Sequence, residues 1–282
     1  MSEVSPRSPE AFEIPCKDGL SIRGDIFPAD APIGSVIVCH GFKGFAHWAF
    51  FPYLGQKLAE NGLTAITFDF SGSGIGPDRE SFTLPEAFAT NTFSREQDDL
   101  DILIDYLRRR KIIGRNFGLF GHSRGGGTAI IFTAAVDSDV SALVTWASIS
   151  YPNRWSPEDV KVWRQRGHAD ITNSRTGQIM KLRTDLLDDV ELHGKNKLNI
   201  EAAAAKVRVP WLIIHGTSDE TVPSAEAEKL HALSEKVSTL SLVAGANHAF
   251  DAKHPLTEIP PALNRVVRET VQFFVRNAAT GV

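Results

Sequence analysis

The sequence predicts an α/β fold: a mostly parallel, doubly wound β-sheet with helices on both faces and a small inserted cap. Two observations carry this prediction. Apolar runs of strand length alternate with longer segments of helical periodicity along most of the 282 residues. The composition, 42% hydrophobic and 23% charged, is that of an ordinary globular chain long enough to bury a large core.

Eight segments have the pattern of strands. The first two, residues 11–15 and 21–27, flank a turn at Lys17-Asp18-Gly19 and predict an antiparallel start. The next six alternate with helical segments, so they predict parallel strands joined by right-handed crossovers. These six are residues 35–39, 64–70, 117–121, 142–148, 211–215 and 239–243.

Helix signals fall between these strands. Ser94 and Gln97 have the spacing of a capping box, which predicts that a helix begins at Ser94. Its apolar face is Leu100, Leu103, Ile104 and Leu107. A last helix is expected after Pro260-Pro261. Its buried stripe is Leu263, Val266, Val267, Val271 and Phe274.

The alternation is interrupted between the strands at 142–148 and 211–215. We therefore predict that residues 1–150 and 207–282 form the α/β core and that residues 151–206 form an inserted cap. Within the cap, Ser156 followed by Pro157 predicts a helix start. A hairpin is expected from residues 171–180, and a second helix from residues 182–193, ended by Gly194.

A serine flanked by glycines provides the clearest chemical signal. The run Gly121-His122-Ser123-Arg124-Gly125 follows a strand and precedes a helical segment. This is the context of the nucleophile elbow, in which a sharp turn exposes the serine at a helix N-terminus. A side chain at either glycine is expected to clash with the neighbouring strand or helix. The alternative is a chance glycine–serine turn. The two interpretations are distinguished by whether a base, an acid and an oxyanion loop follow in the expected order.

A nucleophilic serine needs a base, and the base needs an acid that orients it. Asp219 follows one late strand and His248 follows the next, so both are expected at the carboxyl edge of the sheet. Glu220 is the competing acid. The other place for an acid, Ile149-Ser150-Tyr151-Pro152-Asn153, contains no carboxylate. We predict the triad Ser123, His248 and Asp219.

An oxyanion hole needs two backbone N–H donors. We assign one to Arg124, the residue after the nucleophile. The second is assigned to Phe42 in the loop His40-Gly41-Phe42-Lys43-Gly44, which follows the strand at 35–39. The glycines of this loop allow the backbone to approach closely.

Taken together, these motifs resemble those of serine α/β-hydrolases. Within that superfamily the chain is similar to the dienelactone-hydrolase-like and serine-aminopeptidase-like branches, which include bacterial cinnamoyl (feruloyl) esterases. The resemblance spans residues 12–276 and implies the α/β-hydrolase fold. The motifs that carry it are His40-Gly41-Phe42-Lys43-Gly44, Asp69-Phe70-Ser71-Gly72-Ser73-Gly74, Gly121-His122-Ser123-Arg124-Gly125-Gly126, His215-Gly216-Thr217-Ser218-Asp219 and Gly245-Ala246-Asn247-His248. Dienelactone hydrolases use a cysteine nucleophile, whereas position 123 is serine, so their lactone substrate is not implied.

We expect a serine carboxylesterase, of class EC 3.1.1, that acts through an acyl-enzyme. The resemblance implies a preference for small, medium or aromatic acyl groups. Thioesterase and aminopeptidase activities use the same triad and remain alternatives, the latter because cap carboxylates could hold a substrate amine. These carboxylates are Glu158, Asp159, Asp185, Asp188, Asp189 and Glu191. A non-catalytic binding protein is a third alternative, although such proteins usually lack a triad member.

Four residues are predicted to line the substrate pocket: His40, Trp163, Ile179 and Met180. The competing interpretation is that the three cap residues form the core of the cap. For His40, as for His122, the competing interpretation is packing and hydrogen bonding around the oxyanion loop and the elbow. His215 is interpreted as a structural residue at the end of its strand.

Bulk properties restrict the partners. A net charge of −4 gives no reason to expect nucleic acid or an anionic membrane. The first ten residues are polar and do not resemble a signal peptide, and no apolar run is long enough to span a bilayer, so we expect a cytoplasmic protein. Two cysteines make no disulfide framework, and no cluster has metal-ligand spacing. We expect no cofactor, a small-molecule ester as substrate, and leave a homodimer open.

Overall fold

Strands and helices alternate along the chain in the computed structural model, which describes residues 7–135, 138–173 and 176–278. The strands are β1 (Glu10–Pro15), β2 (Ser21–Phe27), β3 (Gly34–Cys39), β4 (Leu63–Asp69), β5 (Phe117–His122), β6 (Val140–Trp146), β7 (His168–Thr172), β8 (Ile179–Arg183), β9 (Trp211–Gly216) and β10 (Ser238–Val243). The helices are α1 (Phe50–Glu60), α2 (Pro85–Ala89), α3 (Phe93–Arg109), α4 (Arg124–Thr133), α5 (Pro157–Arg166), α6 (Asp185–His193), α7 (Ile200–Ala204), α8 (Ser224–Ser234) and α9 (Pro261–Ala278).

Eight strands form one sheet in the order β1-β2-β4-β3-β5-β6-β9-β10. Strand β2 is antiparallel to both β1 and β4, and all other neighbours are parallel. The antiparallel start and the parallel remainder match the sequence prediction. Among the described residues, no helix is both long enough and apolar enough to cross a lipid bilayer.

Helices cover both faces of the sheet, because side chains alternate along each buried strand. In β3, Ile37 and Cys39 face a core that also contains Leu103 of α3. Val36 and Val38 face the opposite core, which contains Val267 of α9. Residues of α3, α4, α7 and α8 belong to the first core, and residues of α1 and α9 belong to the second. The predicted doubly wound architecture is therefore confirmed.

The last helix buries the stripe that the sequence predicts. The side chains of Leu263, Val266, Val267, Val271 and Phe274 are at most 5% exposed. Helix α3 begins two residues earlier than predicted. Its N-cap is Thr92, whose side chain accepts a hydrogen bond from the N–H of Arg95 at 3.1 Å. Ser94 instead donates its N–H and hydroxyl to Asp189 of α6, so a tertiary contact replaces the predicted capping box.

Residues 151–206 contain α5, β7, β8, α6 and α7, between β6 and β9. Helix α5 begins as predicted, because the Ser156 hydroxyl accepts from the N–H of Asp159 at 3.1 Å. Strands β7 and β8 form the predicted hairpin, with Ile171 opposite Met180. The predicted helix at 182–193 is wrong at its start: Leu182 belongs to β8, where it is fully buried, and α6 begins at Asp185.

Candidate active site

Ser123 occupies a sharp turn between β5 and α4. Its backbone has φ 56° and ψ −121°, a conformation that costs energy for any residue other than glycine. The surrounding structure holds this turn. The N–H of Ser123 donates to the carbonyl of Trp146 at 2.9 Å, and its carbonyl accepts from Gly126 at 3.0 Å. The strained serine is therefore fixed at the carboxyl end of a central strand.

The two flanking glycines permit close backbone contacts. A Cβ atom added to Gly121 would lie 2.3 Å from the carbonyl oxygen of Gly125 in α4. A Cβ atom added to Gly125 would lie 2.3 Å from the carbonyl oxygen of His40, just after β3. Because real Cβ atoms do not approach so closely, the expected clash of a side chain at either glycine is confirmed.

His248 and Asp219 follow the adjacent parallel strands β10 and β9. The Nδ1 atom of His248 lies 2.7 Å from Oδ2 of Asp219. The other carboxylate oxygen of Asp219 accepts from the N–H groups of Thr221 (2.8 Å) and Val222 (2.9 Å). Burial alone would raise the pKa of Asp219. Hydrogen bonds from His215 and His248 outweigh burial and lower that pKa well below its ordinary value, so Asp219 is ionised.

Ser123 and His248 line one cavity of about 630 Å³. Its apolar wall is formed by five aromatic side chains: Phe42, Phe45, Trp48, Phe51 and Phe82. The 151–206 segment contributes Asp170, Ile171, Thr172 and Asn173, from the end of β7 and the residue that follows it. The inserted segment thus reaches the cavity through one hairpin strand.

The loop after β3 passes close to Ser123. A Cβ atom on Gly41 would lie 2.9 Å from the Cβ atom of Ser123, so this position also requires glycine. Among the hydrogen bonds of the described residues, none uses the backbone N–H of Phe42 or of Arg124. Strands β3 and β5 are direct neighbours, with Cys39 opposite Gly121, which brings the two predicted donor segments side by side.

His40 supports this loop from behind and is not among the residues that line the cavity. Its Nε2 atom accepts from the N–H of Phe70 at 3.2 Å, so Nδ1 carries the hydrogen and donates to the carbonyl of Gly41 at 2.8 Å. Burial lowers the pKa of His40 to about 4, and nearby Arg124 acts in the same direction. The predicted pocket role of His40 is therefore replaced by a structural one.

The side chain of Arg124 was not foreseen as a feature of the site. It is buried and pairs with Glu96, whose Oε1 atom lies 2.8 Å from Nε. Its guanidinium carbon lies 4.1 Å from the centre of the Phe93 ring and 5.6 Å from that of Phe42, within the range of cation–π attraction. Arg124 thus links the elbow to the side chain of Phe42.

The other three predicted pocket residues are not among those that line the cavity either. Trp163 and Met180 are 2% and 3% exposed and belong to the apolar core. Ile179 is 66% exposed, because neighbouring residues of β8 point to opposite sides. The pocket prediction is thus corrected: Ile171, in the opposite strand of the hairpin, lines the cavity instead.

None of the six cap carboxylates considered for binding an amine lines the cavity. Asp188 and Glu191 pair with Arg164, and Asp189 accepts from Ser94. One carboxylate that the sequence reasoning passed over, Asp170, does line the cavity. It forms a 2.6 Å ion pair with Arg166.

Two further histidines lie close to the predicted triad. The Nε2 atom of His122 is 3.0 Å from the carbonyl oxygen of His248, and burial lowers the pKa of His122 to about 3. His215 is completely buried, and its Nε2 atom lies 3.2 Å from Asp219. Within the described part of the chain, no group of three or more His, Cys, Asp or Glu residues could hold a metal ion.

Two family models match the chain: one described as alpha/beta hydrolase fold over residues 34–169, and one described as dienelactone hydrolase family over residues 180–278. The chain is 25% identical over 261 residues to the uncharacterized protein YfhR of Salmonella typhimurium, covering 89% of this chain and 78% of that protein. It is 26% identical over 209 residues to the serine hydrolase BPHL of Homo sapiens, covering 70% of this chain and 67% of BPHL.

Among solved structures, ferulic-acid-bound Est1E from Butyrivibrio proteoclasticus matches with a TM-score of 0.73 at 20% sequence identity. The match covers 95% of this chain and 100% of Est1E. At this level of identity the similarity concerns the fold.

Proposed function

This chain is an α/β-hydrolase-fold protein, and from that premise we propose that it is a serine hydrolase that cleaves carboxylic esters. The observation that carries the proposal is the 2.7 Å contact between His248 and Asp219, since it orients a base in the cavity that Ser123 also lines. Such a chain of nucleophile, base and orienting acid is the arrangement that activates a serine hydroxyl.

In the proposed reaction, the Oγ atom of Ser123 attacks the ester carbonyl carbon. Nε2 of His248 takes the hydroxyl proton, because its Nδ1–H donates to Asp219. The imidazolium then passes that proton to the alcohol oxygen as the carbon–oxygen bond breaks, which leaves an acyl-enzyme. A water molecule, deprotonated by His248, attacks the acyl carbon. The bond between the acyl carbon and Ser123 Oγ then breaks in the second tetrahedral intermediate, His248 returns its proton to that oxygen, and the carboxylic acid leaves the restored enzyme.

The backbone N–H groups of Phe42 and Arg124 are proposed to stabilise the negative oxygen of each tetrahedral intermediate. Both are free of hydrogen bonds to the described residues, and their loops follow neighbouring strands. Arg124 is also the first residue of α4, whose N-terminal dipole favours negative charge.

The cavity supports small to medium or aromatic acyl groups. Its volume is that of a site for a small molecule, and five aromatic side chains form its apolar wall. Est1E, whose solved structure holds ferulic acid, has the same fold. We extend an aromatic acyl preference to this chain on these two grounds.

Thioesters undergo the same acyl transfer, so a thioesterase remains the nearest alternative. An aminopeptidase is favoured by one observation, the carboxylate of Asp170 in the cavity. However, this carboxylate is paired with Arg166 and is therefore already neutralised. A non-catalytic binding protein is disfavoured because all three members of the proposed triad are present. We keep the expectations drawn from the sequence that the protein is cytoplasmic and has no nucleic-acid or membrane partner. Whether it forms a homodimer is left open.

The proposal is tested with a fluorophosphonate probe and a panel of nitrophenyl, cinnamoyl, thioester and aminoacyl substrates. We expect the probe to label Ser123 in the folded protein and not after denaturation. Ser123→Ala should abolish labelling and leave only the residual acceleration of about 10³–10⁴-fold over water that binding and the oxyanion hole provide. Near-normal ester hydrolysis by this variant would refute the proposal.

A further inference from the structure

A buried histidine, His215, contacts the acid of the proposed triad. Its side chain in β9 is completely buried, and its Nε2 atom lies 2.8 Å from the carbonyl oxygen of Val222 and 3.2 Å from Oδ2 of Asp219. A carbonyl and an ionised carboxylate can only accept hydrogen bonds. The ring therefore carries its hydrogen on Nε2 and donates it to both oxygens.

This donation completes the surroundings of Asp219. Oδ1 accepts from the N–H groups of Thr221 and Val222, and Oδ2 accepts from His215 and His248. Val222 takes part twice, since its N–H donates to Asp219 while its carbonyl accepts from His215. The three residues thus form a closed ring of hydrogen bonds that prevents the carboxylate from turning.

We propose that His215 is a positioning residue for the hydrolytic reaction, acting through Asp219. By donating to Oδ2, it holds that oxygen towards His248 and shares the negative charge that the oxygen presents to the base. This inference rests on the proposed function, because it assigns a purpose to a contact behind the triad. The alternative is that His215 only fills space at the end of β9.

The contact between His215 and Asp219 has two further ionisable side chains beside it, His248 and His122. Burial keeps His122 neutral, because its pKa is lowered to about 3. On the adjacent strand β10, the residue opposite His215 is Leu242, which does not titrate. A change in the acid limb of the pH profile would therefore report on the pair formed by His248 and Asp219.

The first experiment compares His215→Leu, which removes the donor, with His215→Gln, whose amide N–H can reach the position of Nε2. A hydrogen bond to a charged group predicts that the leucine variant lowers kcat about 10-fold to 100-fold, with KM changed less than about two-fold. The glutamine variant should recover most of this loss. The acid limb of the pH profile of the leucine variant should move to higher pH. In this variant Oδ2 of Asp219 accepts a hydrogen bond from His248 alone, so its negative charge favours the protonated imidazole more strongly.

The second experiment repeats His215→Leu in an Asp219→Asn background, with nitrophenyl esters to keep the residual rate measurable. If His215 acts through the carboxylate, the second substitution should cost less than about three-fold there. An equal loss in both backgrounds, or a glutamine variant as impaired as the leucine variant, would overturn the inference and leave the proposed function intact. If His215→Leu does not fold, His215→Met provides the same comparison. If the fluorophosphonate probe does not label Ser123 in the wild-type protein, the proposed function itself is refuted.

Discussion

His248 is paired with Asp219 and not with the neighbouring Glu220. The Nδ1 atom of His248 lies 2.7 Å from Asp219 Oδ2, whereas Glu220 is exposed to solvent. The turn after β9 explains the choice. It places the Asp219 carboxylate over the N–H groups of Thr221 and Val222, so the side chain points inwards while the next one points out.

Asp219→Asn is expected to lower kcat on the order of 10⁴-fold, because an amide favours the wrong tautomer of His248. Glu220→Gln, one residue away, is the matched control and should leave kcat within about three-fold of wild type, as expected for a solvated side chain. Steady-state kinetics with a nitrophenyl ester measure both. A larger loss in the glutamine variant would make Glu220 the acid.

Gly41→Ala should inactivate the protein without unfolding it. The new methyl group would meet the Cβ atom of Ser123 at 2.9 Å and the carbonyl oxygen of His122 at 3.1 Å, so the loop that carries the proposed oxyanion donor Phe42 must move away. Displacing one donor predicts a loss of about 10²–10³-fold in kcat. Gly114→Ala is the control, because apart from its two chain neighbours no described residue has a heavy atom within 4 Å of the added Cβ. Equal activity of the two variants would contradict the predicted oxyanion hole.

The two isoleucines of the hairpin, one in the cavity and one on the surface, allow a matched comparison. Ile171 lines the cavity, whereas Ile179 on the paired strand is 66% exposed. Ile171→Ala should change the ratio of kcat/KM between a cinnamoyl and an acetyl ester by about 1–3 kcal/mol in transition-state free energy. Ile179→Ala should leave this ratio unchanged. If both variants keep the wild-type ranking of acyl groups, specificity lies outside the inserted segment.

Asp99 should make the protein less stable as the pH rises towards neutrality. Burial raises its pKa to about 7, although Ser71 donates both its N–H and its hydroxyl to the carboxylate. The folded state therefore holds a proton that the unfolded chain releases above its ordinary pKa of 3.8. The free energy of unfolding falls between about pH 4 and pH 7, by at most about 1.4 kcal/mol per pH unit.

Asp99→Asn should flatten this slope, since the amide can still accept from the Ser71 N–H and donate to its hydroxyl. Urea unfolding at several pH values measures the difference between the two proteins. Nearby Arg95 and Glu96 are present in both, so the difference isolates Asp99. Parallel stability curves would show that Asp99 is ionised in the folded protein over this range.

Elements with local signals were predictable from the sequence. The strand at Ser21–Phe27 and the helix start at Ser156 follow from period-two alternation and from a capping residue next to proline. Order along the chain predicts that Asp219 and His248 lie close together, because the loops that follow parallel strands meet at one edge of the sheet. The structure pairs these two side chains, as that reasoning required.

Features set by tertiary contacts could not be predicted. Strand β6 ends at Trp146 rather than at the predicted Ser148, because Ala147 has a positive φ of 46°. An alanine in the sequence does not indicate such a conformation. Ser94 does not cap the helix as predicted, because its hydroxyl donates a hydrogen bond to Asp189, 95 residues away in sequence. The cavity residues were missed for the same reason, since the direction of a hairpin side chain depends on what the hairpin packs against.

The direct pairing of β3 with β5 has a consequence for how this molecule can evolve. The two segments proposed to stabilise the reacting oxygen are spaced by the backbone ladder between Cys39 and Gly121, which side-chain substitutions leave intact. The cavity wall proposed to select the acyl group comes partly from a hairpin inserted between β6 and β9. If the proposed function holds, chemistry and selectivity reside in different parts of the chain, and the hairpin could be replaced by another without changing the register of β3 and β5.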